Sequence, residues 1–259
     1  MCSIYGVVAQ FNVCGILGAK VYSFVLHMKP IIVIPTYNEK DNIAALLQEI
    51  FALSVVGLEV VVVDDNSPDG TAKIVEDMSH HHSLHVINRE KKLGLGSAYI
   101  AGFKKALVLG ATHIFEMDAD FSHNPKDIPR LLDEAKEHDL VIGSRRVAGG
   151  KIVGWSVVRH CTSYGATLFA RMFLGLHAKD VTAGFRCMKR EVLESIDLDA
   201  IASNGYAFQE ELLFLIQQKH FSIKEIPVIF VDRKRGVSKL GKKDIIEFFT
   251  TMRRLRKKK

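Results

Sequence analysis

The chain has 259 residues, of which 48% are hydrophobic and 25% charged, with 19 glycines and 6 prolines. This composition is that of a globular protein and excludes a disordered or low-complexity chain. Its four cysteines form no C-x-x-C pair, which argues against a zinc site or a disulfide framework and indicates a reducing compartment. The net charge of +6 is uneven, since residues 233–259 carry 12 Lys and Arg against 2 Asp and Glu.

The first 28 residues precede the first predicted strand. Met1–Ala19 contains no charged residue, but its polar residues and glycines make it a poor membrane span, which needs about 20 mainly apolar residues. It also lacks the basic start of a signal peptide. We therefore expect residues 1–28 to be a dispensable N-terminal extension; a weakly membrane-associating segment is the alternative.

Strands and helices alternate along most of the chain. Short apolar runs predict strands at Ile31–Ile34, Leu58–Val63, Leu84–Ile87, His113–Met117 and Leu140–Ile142, with a late strand at Ile223–Val231. Helical spacing of apolar residues predicts helices over residues 38–50, 71–78, 97–109, 125–138, 155–176 and 205–220. This alternation is typical of an α/β fold, an open and mainly parallel sheet with helices on both faces.

Ligands of such sheets bind beyond the carboxyl ends of the strands. Polar clusters follow four of the predicted strands, at Pro35–Glu39, Asp64–Asp69, Asp118–Asp120 and Gly143–Arg146. Because these separate loops converge on one edge of the sheet, we expect the functional site there.

Asp118 and Asp120 are the sharpest candidates for chemistry. They are separated by Ala119 and follow a buried strand, so both carboxylates can share one divalent cation. Carboxylate oxygens suit Mg²⁺ or Mn²⁺, and such a metal commonly also holds substrate phosphates. A solvated turn with incidental acids is the alternative, but the position at the ligand-binding edge favours a metal site.

The segment after the second strand has two interpretations. Turn chemistry alone explains Asn66–Gly70, whereas an acid at Asp65 can also accept hydrogen bonds from a nucleoside. Lys91–Gly96 is rich in glycine, but it neither completes G-x-G-x-x-G nor follows the first strand, so a Rossmann motif is rejected. A basic loop near a phosphate is left open.

The other candidate chemistries find less support. We expect the histidines at 80–82 and 85 to lie in a solvated loop, and His123 to support the acid pair rather than to bind the metal. The sequence contains no G-x-S-x-G motif, which leaves nucleophilic hydrolase chemistry without support.

The basic C-terminal segment, Ile245–Lys259, is predicted to be a helix that combines apolar residues with a cationic end. That combination is typical of a helix lying at an anionic membrane surface. In the alternative, its apolar face packs on the domain and the cations form a solvated tail. A nucleic-acid interface is disfavoured, because no aromatic stacking platform accompanies the charge.

A series of motifs resembles the dolichol-phosphate mannose synthases, which are inverting GT-A glycosyltransferases of family 2. The resemblance covers about residues 30–250. In chain order, the matching segments are Ile34–Glu39, Val63–Thr71, Glu90–Tyr99, Met117–His123, Gly143–Arg145, Thr182–Arg186 and Val231–Leu240.

The resemblance implies a GT-A domain over residues 29–244, followed by a basic helix or tail at 245–259. It implies transfer of mannose from GDP-mannose to polyprenyl or dolichyl phosphate, with Mg²⁺ or Mn²⁺, in the service of protein glycosylation. It also implies a peripheral enzyme at the cytoplasmic face of a membrane, with small membrane-protein subunits as candidate partners and no nucleic acid.

Roles for matching residues follow from the same resemblance. The nucleoside pocket would be lined by Pro35, Tyr37, Glu39, Val63 and Asp65. The metal and the diphosphate would be held by Asp118, Ala119 and Asp120, and the phosphates of donor and acceptor by Arg145, Arg233 and Lys239. The catalytic set would be Asp118, Asp120, Arg145, Arg233 and Lys239.

Two alternatives to this function are left open. The donor could be UDP-glucose or another UDP-sugar, because a few pocket side chains choose the base and the sugar. A homologue that has lost catalysis is the other alternative, and the retention of Asp118, Asp120, Arg233 and Lys239 argues against it.

Overall fold

The structure is a computed structural model, and it describes residues 28–205, 207–232 and 242–258. The predicted extension at residues 1–27 and the predicted phosphate ligands Arg233 and Lys239 lie outside the described residues. Within them, no helix is both long and apolar enough to cross a membrane.

A seven-stranded sheet forms the centre of the fold, with the strand order β3-β2-β1-β4-β7-β5-β8. Only β7 runs antiparallel to its neighbours β4 and β5; the other pairings are parallel. A second, two-stranded sheet pairs β6 with β9. The strands are β1 (Pro30–Thr36), β2 (Glu59–Asp64), β3 (Leu84–Asn88), β4 (His113–Glu116), β5 (Leu140–Ser144), β6 (Lys151–Val153), β7 (Arg186–Lys189), β8 (Ile223–Pro227) and β9 (Ile229–Val231).

Helices cover both faces of the large sheet, which confirms the predicted α/β class. They are α1 (Lys40–Ala52), α2 (Thr71–Ser79), α3 (Leu95–Val108), α4 (Ile128–Glu134), α5 (Val157–Leu174), α6 (Arg190–Glu194), α7 (Phe208–Gln218) and α8 (Lys242–Arg256).

The continuous apolar run of β1 is explained by its two buried faces, because its side chains pack into two separate cores. Successive side chains of a strand point to opposite faces, so Ile31 and Val33 enter one core while Ile32 and Ile34 enter the other. The first core also contains side chains of α3, α7 and α8, and the second contains side chains of α1, α2 and α4. Burial on both faces is what a hydrophobic strand without polar alternation predicts.

Several elements differ from the sequence predictions, and β6 and α6 were not predicted at all. The predicted strand Ile223–Val231 is divided into β8 and β9, because Pro227 cannot donate a backbone hydrogen bond to continue one ladder. The predicted helix over 125–138 is a 3₁₀ turn at Pro125–Asp127, capped by the Asn124 side chain, followed by the shorter α4. Strand β7 was not predicted, since it starts with a buried arginine, Arg186.

The C-terminal helix α8 begins at Lys242 and presents two different sides. Met252 and Leu255 are buried in the core with the side chains of α3 and α7. Ile245, Ile246 and Phe249 are exposed, so only part of the predicted apolar set faces solvent. Part of the apolar set therefore packs on the domain, as one interpretation predicted, and membrane contact by the exposed part stays a prediction.

Helix α5 carries a wide exposed apolar surface beside α8. Aromatic contacts join the two helices, since the Phe169 ring lies 6.0 Å from that of Phe248 and 5.6 Å from that of Phe249. We define the α5–α8 face as the exposed apolar side chains of these helices. They are Val157, Val158, Tyr164, Leu168, Phe169, Met172, Ile245, Ile246 and Phe249.

Candidate active site

A cleft of about 430 Å³ opens beyond the carboxyl ends of β1, β2 and β4. Its volume falls within the range of roughly 300–1,000 Å³ that is typical of small-molecule sites. We call it the donor cleft. It is lined by Pro35, Thr36, Tyr37, Glu39, Asp65, Lys92, Gly94, Leu95, Ala98, Asp118, Ala119, Asp120, Asn204, Gly205 and Glu247.

Asp118 is held in place by two buried neighbours. The Tyr99 hydroxyl donates to Asp118 Oδ1 at 3.2 Å, and burial followed by the charge of Asp118 raises the pKa of Tyr99 well above its usual value. The backbone N–H of Asp118 donates to His123 Nδ1 at 3.1 Å, which places the ring proton of a neutral His123 on Nε2. Burial lowers the pKa of His123, so this neutral form dominates at pH 7. His123 thus supports the acid pair, as the sequence predicted.

Asp120 lies on the turn that follows Asp118. Its Oδ1 accepts the backbone N–H of Ser122 at 3.0 Å, and Phe121 between them adopts a left-handed φ of 61°. This turn brings both carboxylates to the wall of the donor cleft. The backbone of this turn thus helps to fix the spacing and position of the two carboxylates.

The donor set suits a hard divalent cation that is shared with a substrate. Asp118 and Asp120 lie close together in the cleft wall, and among the described residues no group of three or more His, Cys, Asp or Glu side chains could hold a metal alone. Mg²⁺ commonly takes one or two protein carboxylates and completes its shell with substrate phosphates and water. Asp118 and Asp120 therefore fit a metal that binds together with a diphosphate.

The two acids at the end of β2, Asp64 and Asp65, have different hydrogen-bond partners. Asp64 forms the turn: its Oδ1 accepts from the hydroxyls of Thr36 and Ser67, and its Oδ2 accepts from the Ser67 N–H. Asp65 pairs with Arg89, and its Oδ2 accepts the N–H groups of Leu93 and Gly94. Asp65 thereby joins β2 to the 89–94 loop while it also lines the donor cleft.

Lys92 and Glu247 extend the cleft beyond the predicted residues. The Lys92 ammonium lies 3.8 Å from the centroid of the Tyr37 ring, a cation–π geometry. Glu247 of α8 accepts the N–H groups of Asn204 and Gly205, at 2.6 and 3.0 Å, and so fixes the opposite wall. The glycine-rich basic loop was a weak indication that Lys92 belongs to the site. Nothing in the sequence around Glu247 indicated that it does.

A fully buried ionic cluster supports the floor beside Asp118. Arg186 donates to the carbonyls of Val181, Ala183 and Gln209, and its guanidinium lies 3.9 Å from Glu116. Burial raises the pKa of Glu116 and that of Glu210 to about 7, against the opposing charge of Arg186. Arg186 thus connects β4, β7 and the start of α7 at the base of the site.

Arg145 is held by a carboxylate outside the donor cleft. Its backbone N, Nε and Nη2 donate to Asp180 at 2.7–2.8 Å, and Nη2 also donates to the Thr182 hydroxyl. Burial opposes ionisation of Asp180, but these hydrogen bonds hold its pKa below the usual value. The guanidinium carbon lies 5.3 Å from the centroid of the Phe230 ring and 5.8 Å from that of Trp155.

Of the predicted site residues that the structure describes, most line the donor cleft, and Val63 and Arg145 do not. Pro35, Tyr37, Glu39, Asp65 and the Asp118–Asp120 segment line one cleft. The Val63 side chain does not, because it points into the core with no exposed surface. Arg145 lies apart, on its ion pair with Asp180.

Comparison with known proteins identifies the fold and its relatives. The family model described as glycosyl transferase family 2 matches residues 31–197. An undecaprenyl-phosphate mannosyltransferase of Micrococcus luteus is 44% identical over 215 residues, which cover 83% of this chain and 88% of the relative. A polyprenol monophosphomannose synthase of Mycolicibacterium smegmatis is 40% identical over 222 residues, covering 85% and 83%.

Solved structures of glycosyltransferases share the fold. Mannosyl-3-phosphoglycerate synthase from Rubrobacter xylanophilus superposes with a TM-score of 0.64 at 21% identity, covering 88% of this chain and 73% of that one. Glucosyl-3-phosphoglycerate synthase from Mycobacterium tuberculosis, in complex with Mn²⁺, UDP-glucose and phosphoglyceric acid, superposes with a TM-score of 0.62 at 19% identity, covering 89% and 80%. The predicted GT-A architecture is thereby confirmed.

Proposed function

This chain belongs to glycosyltransferase family 2, and from that premise we propose that it transfers mannose from GDP-mannose to the phosphate of a polyprenol, with inversion at the anomeric carbon. The observation that carries the proposal is the 44% identity, over most of both chains, to an undecaprenyl-phosphate mannosyltransferase. The described geometry adds a cleft of suitable size with an acid pair in its wall.

The nucleotide would lie across the carboxyl ends of β1 and β2. Tyr37, Glu39 and Asp65 offer an aromatic ring and carboxylate acceptors for the nucleoside, and Lys92 supplies a cation at the same wall. The diphosphate would then reach Asp118 and Asp120, which lie beyond β4, the other neighbour of β1. The nucleoside and the diphosphate would thus follow one another along the edge of the sheet.

A divalent cation, when bound by Asp118 and Asp120, would neutralise the charge that develops on the leaving GDP. The chain's own residues position this site: the Tyr99 hydroxyl and the Ser122 N–H donate to the two carboxylates, and His123 accepts the backbone N–H of Asp118. We infer Mg²⁺ or Mn²⁺ from the hard oxygen ligands.

The reaction needs no strong base. The phosphate of the acceptor is anionic near pH 7, so its oxygen attacks the anomeric carbon directly while the bond to the GDP oxygen breaks. The nucleophile approaches opposite the leaving group, and the configuration inverts. Arg145 lies beside Asp180 and the Trp155 and Phe230 rings, where it could receive one phosphate. Arg233 and Lys239 remain predicted phosphate ligands.

A polyprenyl acceptor brings the enzyme to a membrane, because its hydrocarbon chain stays in the bilayer. The α5–α8 face supports peripheral attachment: six apolar side chains of α5 and three of α8 are exposed side by side. Exposed cations of the last turn, Arg253, Arg256, Lys257 and Lys258, suit an anionic surface. We propose the cytoplasmic face of the membrane, where nucleotide sugars are supplied.

A donor screen tests this function. The purified protein is incubated with a polyprenyl phosphate, Mg²⁺ or Mn²⁺, and GDP-mannose, UDP-glucose or UDP-N-acetylglucosamine. We expect lipid-linked sugar only from GDP-mannose. Preferential transfer from a UDP-sugar would refute the donor, and no transfer from any donor to a lipid phosphate would refute the acceptor class.

A further inference from the structure

A second cavity, of about 140 Å³, lies along one flank of α5. Four of its lining residues recur at helical spacing, so they form one stripe of that helix, and the cavity shares no lining residue with the donor cleft. We call it the α5 cavity. It is lined by Arg146, Tyr164, Thr167, Leu168, Arg171 and Lys179.

The lining of the α5 cavity is strongly cationic. Three of its six residues are Arg or Lys, and no carboxylate is among them. Asp180, whose charge also acts on Arg146, already accepts three hydrogen bonds from Arg145. The volume lies well below the roughly 300 Å³ at the lower end for drug-sized ligands, so the cavity suits a small group rather than a nucleotide.

Polar atoms of this lining lack hydrogen-bond partners. Thr167 is 2% exposed, and its hydroxyl makes no hydrogen bond within the described ranges; nor do Nε of Arg146 and Nε of Arg171. Buried polar groups are nearly always paired, so these atoms indicate a missing partner. Burial lowers the pKa of Arg146, although the charge of Asp180 opposes this shift.

Arg145 and Arg146 are neighbours in sequence, but their side chains contact different parts of the structure. Arg145 is bonded to Asp180 and Thr182. Arg146 donates to the Ser163 hydroxyl at 2.9 Å and lies 5.5 Å from the centroid of the Tyr164 ring, on α5. The side chain of Arg146 therefore contacts α5, whereas that of Arg145 is bonded to Asp180 and Thr182.

The α5 cavity adjoins the α5–α8 face. Tyr164 and Leu168 belong to both: they line the cavity, and 58% and 40% of their surfaces are exposed. A group that enters here has cations on one side and an exposed apolar surface on the other. That juxtaposition fits the phosphate of a lipid, whose acyl chains lie beside its head group, better than it fits a fully solvated ion.

We propose that the α5 cavity binds the phosphate group of an anionic membrane lipid while the α5–α8 face lies on the bilayer. Arginine side chains bind phosphate through paired N–H donors, and Lys179 adds a point charge. The proposal rests on the membrane contact in the proposed function, and it assigns a lipid-phosphate site whose lining shares no residue with the donor cleft.

The test compares two kinds of vesicle with the same surface charge. One contains phosphatidylcholine with phosphatidic acid, and the other phosphatidylcholine with oleate, which carries a carboxylate. We expect the parent to bind the phosphatidic acid vesicles about tenfold more tightly, as charge-assisted hydrogen bonds predict. The double variant Arg146→Gln/Arg171→Gln should lose this preference, and Lys179→Gln, on an exposed loop, should reduce it.

A matched control removes two exposed cations elsewhere. Lys73→Gln/Lys136→Gln has the same change of charge and should keep the preference. Thermal unfolding of every variant shows whether the fold is retained. Equal binding of the parent to both vesicles, or an equal loss of preference in the control, would overturn the proposal.

Inorganic phosphate, added at constant ionic strength, distinguishes a soluble phosphate ligand from a lipid phosphate. Suppose that it raises the melting temperature of the parent but not that of Arg146→Gln/Arg171→Gln, while the vesicle preference does not depend on these two residues. The ligand is then a soluble phosphate, and the lipid assignment is wrong. Sugar transfer to acceptor in detergent is measured in parallel. Failure of the parent in that assay contradicts the proposed function and leaves the vesicle result unaffected.

Discussion

Asp118 and Asp120 have the same side chain but different surroundings. Asp118 accepts the hydroxyl of the buried Tyr99, and its removal would leave that group without its partner at a cost of about 1–3 kcal/mol. Asp120 lies on the wall of the cleft, where its Oδ1 accepts the Ser122 N–H of the same turn. We choose Asp120 for the functional test, because its substitution leaves the Tyr99 hydroxyl bonded to Asp118.

We predict that Asp120→Ala lowers kcat/KM for sugar transfer by about two to three orders of magnitude with little change in melting temperature. The reason is the loss of metal and diphosphate stabilisation, worth several kcal/mol in the transition state. Steady-state kinetics with and without a chelator measure it. Asp133→Ala, which removes an exposed acid of α4, is the control and should behave as the parent. Transfer that survives both the substitution and the chelator would contradict the metal site.

Asp65 acts on the nucleotide pocket through the 89–94 loop as well as directly. We predict that Asp65→Ala weakens GDP binding about tenfold, because it releases Arg89, Leu93 and Gly94 and lets Lys92 leave the Tyr37 ring. Calorimetric titration of GDP tests this. In a double-mutant cycle with Lys92→Met, the two losses should be less than additive. Unchanged affinity in Asp65→Ala would remove this residue from the pocket.

At the scale of elements, α8 is connected to the donor cleft. Glu247 accepts the N–H groups of Asn204 and Gly205, and the Asn204 carbonyl accepts the N–H of Gly96 on α3. Gly94 must be glycine here, since a Cβ would lie 2.8 Å from that carbonyl and its φ is 104°. Helix α8 therefore supports the wall of the donor cleft.

We predict that Glu247→Ala raises KM for the sugar nucleotide about tenfold and changes kcat less, because two backbone donors of the wall lose their acceptor. Glu247→Gln keeps an acceptor oxygen and should restore most of the affinity. The kinetics of both variants with a detergent-solubilised acceptor provide the measurement. If Ala and Gln have the same KM as the parent, the wall does not depend on α8.

The sequence predicted the elements whose pattern is local. The runs at β1 and β2 and the helical spacing of α1 are local signals, and they placed Tyr37, Asp65 and Asp120 on one edge. The sequence could not show that Arg145 is bonded outside the cleft, because its partner Asp180 is 35 residues away in the chain. Glu247 was missed for the same reason: its role depends on how α8 packs, and its neighbours Ile246 and Phe249 differ from the buried Met252 only in tertiary contacts.

The whole molecule has an asymmetric surface. The donor cleft is lined partly by acidic residues, while the α5–α8 face exposes nine apolar side chains on two adjacent helices. A large exposed apolar surface commonly marks a protein or membrane contact. We proposed above that this face, with the cationic last turn of α8, contacts the bilayer.

We predict that Met172→Ser/Ile246→Ser weakens vesicle binding about tenfold, since buried methylene groups contribute roughly 0.8 kcal/mol each. Transfer to acceptor in bilayers should fall, and transfer to acceptor in detergent should not. Val56→Ser/Val108→Ser is the matched control, because both valines are about 80% exposed but lie outside the face. Equal vesicle binding by the two double variants would assign the membrane contact elsewhere.

The central claim is a single displacement of GDP by a lipid phosphate at the Asp118–Asp120 edge of the sheet. The anomeric configuration of the product tests it most directly. The protein is incubated with α-linked GDP-mannose, a polyprenyl phosphate and Mn²⁺, and the lipid product is examined by NMR. We expect β-linked mannosyl phosphate, formed by the parent and not by Asp120→Ala. An α-linked product, or mannose attached anywhere other than to the lipid phosphate, would contradict it.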